Sequence, residues 1–410
     1  MSDTRWPAPP EGRCSLPANL EVAVAIVGAG IHGAALAREL TLRGVSCALV
    51  DNGEVGGGTS QWSSQLLHGG IRYMLTGDFH QMREGLVERA TWARIAPSRC
   101  RWEAFWMPHR FWLEGLTHRF GIGLYDHWGA ERPGWPAAQR LGLVPRSAFR
   151  ADPRSAQGPY RGATAYADLL TWDRGLTKDL AASSEALRLD FHEVAAFEDS
   201  GGELTHARLR DRRDGATRRL AARRWVFALG PWTDGAMATW FGETQKRLRL
   251  SSGIHLWFDP VPGCERPWAI RRPGGRILFV IPRDGLLQVG TTEREVTEGA
   301  VPVVASEREE LFLALEARLP AIPWRTLPIR AEESGVRPLV AAGGATSRLS
   351  REAVLERHPR FANLTLVLGG KLTTARALMD QLATGLTGSP CAASTTAPLR
   401  LWDGQPPQIR

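Results

Sequence analysis

The stretch that decides the fold is Val22-Ala-Val-Ala-Ile-Val27, then Gly28-Ala-Gly30-Ile-His-Gly33, an Ala-rich run to about Arg43, and a second apolar run from Val45 to Val50 that ends on Asp51. Read in order it is strand, glycine turn, helix, strand, acid, the βαβ unit that binds a dinucleotide. Gly28 permits the tight turn, Gly30 lets backbone approach a pyrophosphate, and Gly33 lets the helix pack against the strand. The first N–H groups of the helix then face the phosphates, where the helix dipole favours negative charge. Asp51 lies about 20 residues on, the spacing of an acid that bonds an adenosine ribose hydroxyl.

The loop that follows is Gly56-Gly-Gly-Thr59-Ser60-Gln-Trp-Ser63-Ser64-Gln65-Leu-Leu-His68-Gly69-Gly70-Ile-Arg72-Tyr73. It has little apolar periodicity and many small polar groups, so it can wrap a cofactor with backbone N–H and hydroxyl donors. The segment resembles the motif of FAD-dependent glycerol-3-phosphate dehydrogenases, within the wider D-amino-acid-oxidase-like flavoprotein superfamily. That family carries Thr-Ser, two residues, Ser-Ser-Lys, then His-Gly-Gly, an aliphatic residue and Arg-Tyr. Gln65 stands where the family has lysine.

Composition narrows the class. With 410 residues the chain can bury a large core, read as two lobes. A hydrophobic share of 43% and a charged share of 23% are those of a globular protein. The formal charge of +8 comes without a dense basic run or a nucleic-acid module, so no nucleic-acid partner is expected. An arginine-rich surface, an anionic substrate or contact with anionic lipid accounts for it instead. Cys14, Cys47, Cys100, Cys264 and Cys391 are scattered and form no CxxC pair. They predict reduced thiols, a cytoplasmic setting and no metal site. Residues 1–19 read as a flexible tail without a signal-peptide core, and no apolar run reaches the 18 residues of a membrane span.

Further along, residues 78–96 have helical spacing and Pro97 ends them. Residues 100–135 interleave Trp, Phe and Tyr with Arg and His. They read as substrate-domain core with amphipathic side chains at its rim, although Trp and Arg together also suit a lipid interface. A helix is expected from near Leu176, a strand over 188–196 in which Val194 offers backbone contacts to adenine, and an exposed hairpin over 203–224. Trp225-Val-Phe-Ala-Leu-Gly230-Pro-Trp232 is a strand closing on a glycine turn. It is similar to the superfamily's Ala-x-Gly-Pro-Trp segment, which passes close to the FAD pyrophosphate. Residues 250–295 carry β signals, with turns at Pro273-Gly-Gly and Arg283-Asp-Gly, and 306–319 a helix. Gly253-Ile-His255 matches the family's Gly-x-His, and Gly290-Thr-Thr its Gly-Thr-Thr-Asp with Glu293 substituted. Finally Leu364-Thr-Leu-Val-Leu-Gly369-Gly370-Lys371-Leu372-Thr373-Thr374 is an apolar strand and glycine turn opening a helix over 372–387, whose N–H groups suit the flavin C2 carbonyl and N1 edge.

The expected fold is α/β, a Rossmann-like FAD-binding domain with a discontinuous β-rich substrate domain. The FAD lobe takes 20–90, 165–250 and 335–390; the substrate lobe takes 91–164 and 251–334; 391–410 is a tail. FAD rather than NAD is expected, because the polar loop at 56–70 and the distant Gly369-Gly370 turn are parts an NAD domain does not need. The resemblance runs in blocks from about 22 to 387 and implies a short form without the helical C-terminal domain of many such enzymes. The predicted cofactor contacts are Gly28, Gly30, Gly33, Asp51, Thr59, Ser60, Ser63, Ser64, His68, Gly69, Val194, Gly230, Trp232, Gly370, Lys371, Leu372 and Thr373. The resemblance makes Arg72, Tyr73, Arg351 and Lys371 the substrate-binding set, with His255 as base and Arg337 stabilising oxygen charge. It implies oxidation of sn-glycerol 3-phosphate by hydride transfer from C2 to flavin N5, with electrons passed to a quinone or other acceptor at a membrane surface. Gln65 and Glu293 keep open an oxidase or dehydrogenase of a 2-hydroxy acid or amino acid, and a non-catalytic flavin-binding protein is the alternative of another class.

Overall fold

The computed structural model describes residues 16–70, 79–128, 144, 146–151, 158–262, 264–341 and 353–402. The chain runs β1 (Asn19–Val27), α1 (Ile31–Thr41), β2 (Cys47–Val50), β3 (Leu66–Leu67), α2 (Phe79–Ile95), β4 (Cys100–His109), α3 (Trp112–Trp128), α4 (Arg146–Ala151), β5 (Gly162–Thr171), α5 (Asp173–Ala182), β6 (Leu187–Leu189), β7 (His192–Ser200), β8 (Glu203–Asp211), β9 (Thr217–Phe227), α6 (Thr233–Phe241), β10 (Leu248–Phe258), β11 (Trp268–Arg271), β12 (Ile277–Arg283), β13 (Leu286–Gly290), β14 (Arg294–Val296), α7 (Ala305–Arg318), β15 (Ile329–Val340), β16 (Val354–Arg357), β17 (Leu364–Leu368) and α8 (Ala375–Thr387).

In the first sheet, β17, β9, β1, β2 and β6 are parallel neighbours in that order, with β16 antiparallel on the β17 edge. Both faces are covered, which is why β1 and β2 read as nearly unbroken apolar runs. The small residues Ala34, Ala35 and Ala37 bring α1 close to the sheet, in one core with Leu176, Leu180, Met379 and Ala383 of α5 and α8. On the other face the β7–β8 hairpin and α6 pack Phe197 against Trp225, Phe227, Trp240 and Phe241.

The second sheet runs β14-β10-β13-β12-β11-β4-β5-β3, with β15 along the other side of β10. Its pairs are antiparallel except β11 with β4. One face packs on Leu311, Leu315 and Leu319 in and after α7, the other on Met82 and Leu86 of α2 and Ile122 and Tyr125 of α3.

Several elements depart from the sequence expectation. β9 is one strand from 217 to 227 rather than the second arm of an exposed hairpin and a separate strand, because its first half pairs with both β8 and β1. The expected strand over 188–196 is broken at Phe191, whose φ is 58°, into β6 and β7. β5 begins at Gly162 and lies in the second sheet, whereas the sequence reading assigns 165–250 to the FAD lobe. β15 crosses the expected boundary at 334/335 and stays with β10 throughout. Strand partners are set by non-local pairing, which spacing along the chain does not encode. The aromatic stretch divides: Phe105, Trp106 and Tyr125 are core, whereas Trp112 and Phe120 are 73% and 77% exposed. α3 turns His118, Ile122 and Tyr125 inward and Trp112, Leu116 and Phe120 outward. Residues 129–135 of that stretch, the tail over 1–15, and 403–410 lie outside the described residues. Within the expected C-terminal tail, residues 391–402 are docked: Leu399 N–H donates to Ile95 O at 2.7 Å and Trp402 N–H to Asp179 Oδ1 at 2.8 Å.

Candidate cofactor and substrate site

The first glycine turn is built from backbone against backbone. Gly28 sits at φ 105° and donates its N–H to Val50 O at 2.7 Å. A Cβ there would overlap the Ala228 carbonyl, and one at Gly33 would overlap the carbonyl oxygen of Gly28. The Asp51 carboxylate closes the turn by accepting from Ala29 N–H at 2.7 Å and Gly53 N–H at 2.8 Å. Burial pushes its carboxyl up, and those two hydrogen bonds pull it back. The N–H of Ile31, first in α1, donates to Ser60 Oγ at 2.9 Å, so the polar loop folds onto the helix N-terminus.

From Asp51 the contacts lead past Ala29 and Gly30 to Ser60, and from His32 to Gly370, against which the imidazole packs. One groove of about 1030 Å³ follows this line. Its wall contains Gly28, Gly30, Asp51, Thr59, Ser60, Ser63, Ser64 and His68 from the first half of the chain. It also contains Val194, still in the first half, and Gly230, Trp232, Arg337, Gly370, Lys371, Leu372 and Thr373 from the second half. Gly33 and Gly69 are not in the wall. Gly33 lies under the turn, and Gly69 N–H donates to the Tyr125 hydroxyl at 3.0 Å, with Leu86 filling the space a Cβ would need. Arg72, Tyr73 and Arg351 lie outside the described residues.

The donor set fits FAD. Two glycine turns that a Cβ would fill, an acid beside the first, hydroxyls along the middle and a lysine at the second supply what a pyrophosphate, a ribose and a flavin edge require. Among the segments described, the two ends of the chain meet here: His68 N–H donates to Thr373 Oγ1 at 3.2 Å, and Thr59 Oγ1 to Val336 O at 3.1 Å.

Beside the groove, β10 lies between β13 and β15, and three glycines open slots between these strands. Gly290 faces His255 across the pair, and a Cβ on it would occupy the imidazole's place. Gly253 gives its Cβ space to the Arg337 guanidinium, whose Nη2 donates to Thr291 Oγ1 at 3.0 Å. Gly335 faces Gly253 and receives the Trp62 backbone, 2.5 Å from where its Cβ would be. His255 is buried and lies behind Ser64, which lines the groove; its Nε2 is 3.1 Å from Ser64 Oγ. Burial, then the charges of Arg337 and Arg283, hold its imidazole down at about 3, so it is neutral at neutral pH. A neutral imidazole can take a proton, and a nearby guanidinium can hold charge developing on oxygen.

Residues that spacing missed surround this pair. Asp173, buried at the head of α5, accepts from Ser63 Oγ at 2.7 Å and Ser63 N–H at 3.0 Å, and burial raises it to about 6. Gln65 adopts φ 53°, and its side chain meets Arg283, not the groove. Arg283 also donates to Gln65 O at 3.1 Å and Thr171 O at 2.9 Å, so a buried cation clamps the turn that carries Ser63 and Ser64. Only the unusual φ could have signalled this, and sequence does not report φ. Glu333, across from His255 on β15, is raised to about 7, chiefly by burial.

Comparison with known proteins gives the family of the chain. The model of a family described as FAD dependent oxidoreductase matches residues 23–383. An aerobic glycerol-3-phosphate dehydrogenase of Staphylococcus epidermidis is 29% identical over 367 residues, covering 87% of this chain and 65% of that protein. One from Staphylococcus aureus strain USA300 is 26% identical over 394 residues, covering 91% of this chain and 70% of that protein. The chain thus spans about two thirds of the length of these relatives. Among solved structures, glycerol-3-phosphate dehydrogenase from Bacillus halodurans complexed with FAD superposes with a TM-score of 0.66 at 21% identity, over 92% of this chain and 67% of that one. Glycine oxidase from Geobacillus kaustophilus gives 0.67 at 19%, over 93% and 99%. These two likenesses show a shared fold.

Proposed function

The chain belongs to the FAD-dependent oxidoreductase family, and we propose that it oxidises sn-glycerol 3-phosphate to dihydroxyacetone phosphate. The observation that carries the reading is the pairing of a neutral, buried His255 behind Ser64 with Arg337 on the same groove wall as Lys371. When bound, FAD supplies a two-electron acceptor for the hydrogen at substrate C2. The protein's own share is positional and protonic. In the tautomer with Nε2 unprotonated, His255 accepts from the Ser64 hydroxyl, and the C2 hydroxyl proton leaves along that line. Arg337 holds the developing oxygen charge. Lys371, with Arg72 and Arg351 from the motif segments, anchors the phosphate, a dianion that several cations suit better than a carboxylate. The curated relatives are named for glycerol 3-phosphate, which supports this substrate over others. Electrons then pass to a quinone or other acceptor.

A peripheral membrane contact is part of the proposal. Trp112, Leu113, Leu116 and Phe120 make an exposed apolar face on α3 beside exposed Arg119, on a chain of net charge +8. Aromatic and cationic side chains together suit an anionic lipid surface. No helix among the described residues is long and apolar enough to cross a membrane.

The test is anaerobic bleaching of the bound flavin by glycerol 3-phosphate against a panel of 2-hydroxy acids and amino acids. Rapid bleaching by glycerol 3-phosphate, lost in Arg337→Met, is expected. Bleaching by a carboxylate substrate alone overturns the phosphate reading in favour of the hydroxy-acid or amino-acid alternative, which the Gln65 departure keeps in view. Bleaching by nothing on the panel favours a non-catalytic flavin protein.

A further inference from the structure

Three neighbouring strands put buried polar atoms on one face of the second sheet. His255 and Trp257 on β10, Gln288 on β13 and Glu333 on β15 share that face, because His255 pairs with Glu333 and Trp257 with Gln288. His255 Nδ1, both amide atoms of Gln288 and Glu333 Oε2 are buried and have no hydrogen-bond partner among the described residues. Buried polar atoms are nearly always paired, and a bridging water is the usual partner where side chains offer none.

The imidazole is turned for such a bridge. Its Cδ2 edge faces Gly290 on β13, 2.4 Å from where a Cβ would lie. The opposite, Nδ1 edge is therefore turned to the β15 side of β10, where Glu333 is the direct cross-strand pair. Such pairs bring Cβ atoms within about 4.5–5.5 Å. Nδ1 and Oε2 are not bonded to each other, and one water spans side chains of this length.

The proton chemistry runs the same way. With Nε2 free to accept from Ser64, the ring's own proton is on Nδ1. Burial and two guanidinium charges hold the imidazole at about 3, so a second proton cannot stay on it at neutral pH. Asp173 already accepts from Ser63 Oγ, Ser63 N–H and Arg174 N–H. Glu333 is raised to about 7, chiefly by burial; Trp257 and Arg283 lower it and Asp173 raises it further. It is half-buried, so a proton it takes up can leave to solvent.

We infer that Glu333 is a positioning residue for the proposed base: it orients the Nδ1–H tautomer of His255 through one water and receives the proton that the base gives up. The substrate O–H bond breaks, and its proton passes by way of Ser64 Oγ to His255 Nε2. The Nδ1 proton moves through the water to Glu333 Oε2, leaving a neutral imidazole and a neutral acid. The C2 hydrogen leaves with its electron pair to the flavin, as in the proposed reaction, and the carbonyl forms. Loss of the Glu333 proton to solvent and return of the imidazole to its first tautomer reset the site. The inference rests on His255 as base, not on the identity of the substrate.

The experiment is anaerobic stopped-flow bleaching of the holoenzyme at saturating glycerol 3-phosphate from pH 6 to 8. Wild type, Glu333→Gln and Glu333→Asp are compared, with flavin content and thermal midpoint measured alongside. Only ionised Glu333 can accept, so wild-type bleaching should slow about tenfold from pH 8 to 6, the change in ionised fraction for a group at about 7. Glu333→Gln should be about tenfold slower than wild type at pH 8 and vary less than threefold over the range, the part left to Asp173 at about 6. Glu333→Asp should recover part of the rate and of the pH dependence, which a merely structural contact would not do. Glu333→Gln within threefold of wild type at pH 8, or with the wild-type pH dependence, overturns the inference. Should Glu333→Gln not load FAD, Glu333→Asp decides: its shorter arm must slow bleaching at least threefold at pH 8, and a wild-type rate overturns the inference. Failure of the substrate reads differently. If glycerol 3-phosphate does not bleach but another member of the panel does, the substrate proposal falls and the same pH series on that compound decides on Glu333. If nothing on the panel bleaches the flavin, both fall.

Discussion

The turn at Gly28–Gly33 and the strand trio β10, β13 and β15 both depend on glycine, but for opposite reasons. In the turn, glycine lets backbone meet backbone: the Ala228 carbonyl crowds Gly28, and the Gly28 carbonyl crowds Gly33. At Gly290 and Gly253 in the strands the nearest neighbour is instead a side chain, the His255 imidazole and the Arg337 guanidinium. The Ile254 carbonyl also lies close to Gly290, and Gly335 meets the Trp62 backbone as the turn glycines meet theirs. A backbone neighbour cannot rotate away, whereas a side chain can find another rotamer. The turn therefore belongs to the fold, and under the proposed function the slots at Gly290 and Gly253 serve the chemistry. Substitutions at the two kinds of position should fail differently.

The largest effect is expected at the turn. Gly33→Val places a branched side chain on the Gly28 carbonyl, where no rotamer relieves the overlap, and it should leave no folded flavoprotein. Soluble yield and the visible flavin spectrum read this directly, and a yellow, cooperatively melting variant would break the comparison. Next come the slots. Gly290→Ala should keep its FAD while driving the His255 ring out of line with Ser64, a loss of about 10²-fold in kcat, the usual worth of a positioned base. Gly253→Ala displaces the Arg337 guanidinium and should lower kcat/KM by about 10-fold or more, since a charge-assisted contact is worth about 1.5–3 kcal/mol. If either variant loses its flavin before its activity, the slot is structural and the distinction fails.

The slot also leaves a signature in stability against pH. His255 is held at about 3, below its usual 6.5, so its contribution is complete above pH 6.5 and is lost as the pH falls towards 3. Asp173 at about 6 and Glu333 at about 7 are raised, so their contribution is complete below their usual acid range and is lost as the pH rises through those values. The two trends oppose each other between about pH 4.5 and 6.5. His255→Asn removes one of them. From pH 6.5 to 4.5 its urea-derived stability should gain on that of wild type, by up to about 1.4 kcal/mol per pH unit. A parallel pair of pH curves would mean that the imidazole is not buried as described.

The same contrast explains what could be read in advance. The turn was legible because its partners are local: Gly28, Gly30, Gly33 and Asp51 sit within one βαβ unit, and their spacing is the signal. The strand at Leu364–Leu368 and its glycine turn were legible for the same reason, and so was the helix beyond them. The slots were visible only as a resemblance, because Gly290 gains its meaning from His255 on another strand. The assignment of β5 and β15 to the second sheet was not legible at all, since apolar alternation marks a strand and not its neighbour. Nor was the Arg283 clamp on Gln65, or the grip of α2 on Lys371 and Arg376, which join residues more than 200 positions apart.

A third kind of glycine supplies the smallest effect and the control for the rest. Gly123 in α3 and Gly385 in α8 are exposed, helical, and have nothing within 4 Å of an added Cβ. Neither a turn nor a slot explains them, so only their intrinsic cost remains. Glycine in a helix interior is less favourable than alanine by about 0.5–1 kcal/mol, mainly through the entropy of the unfolded chain. Gly123→Ala and Gly385→Ala should therefore each stabilise by about that amount, leaving flavin content, potential and turnover at wild-type values. Urea midpoints measured on the holoenzyme test this, because a small gain would be hard to resolve in the thermal midpoint of so long a chain. If either alanine destabilises, that glycine has a partner, and Gly385 is the more informative of the two. It lies on the helix that carries Arg376 to Glu88, so a loss there would mean that α8 is gripped along more of its length than the turn alone.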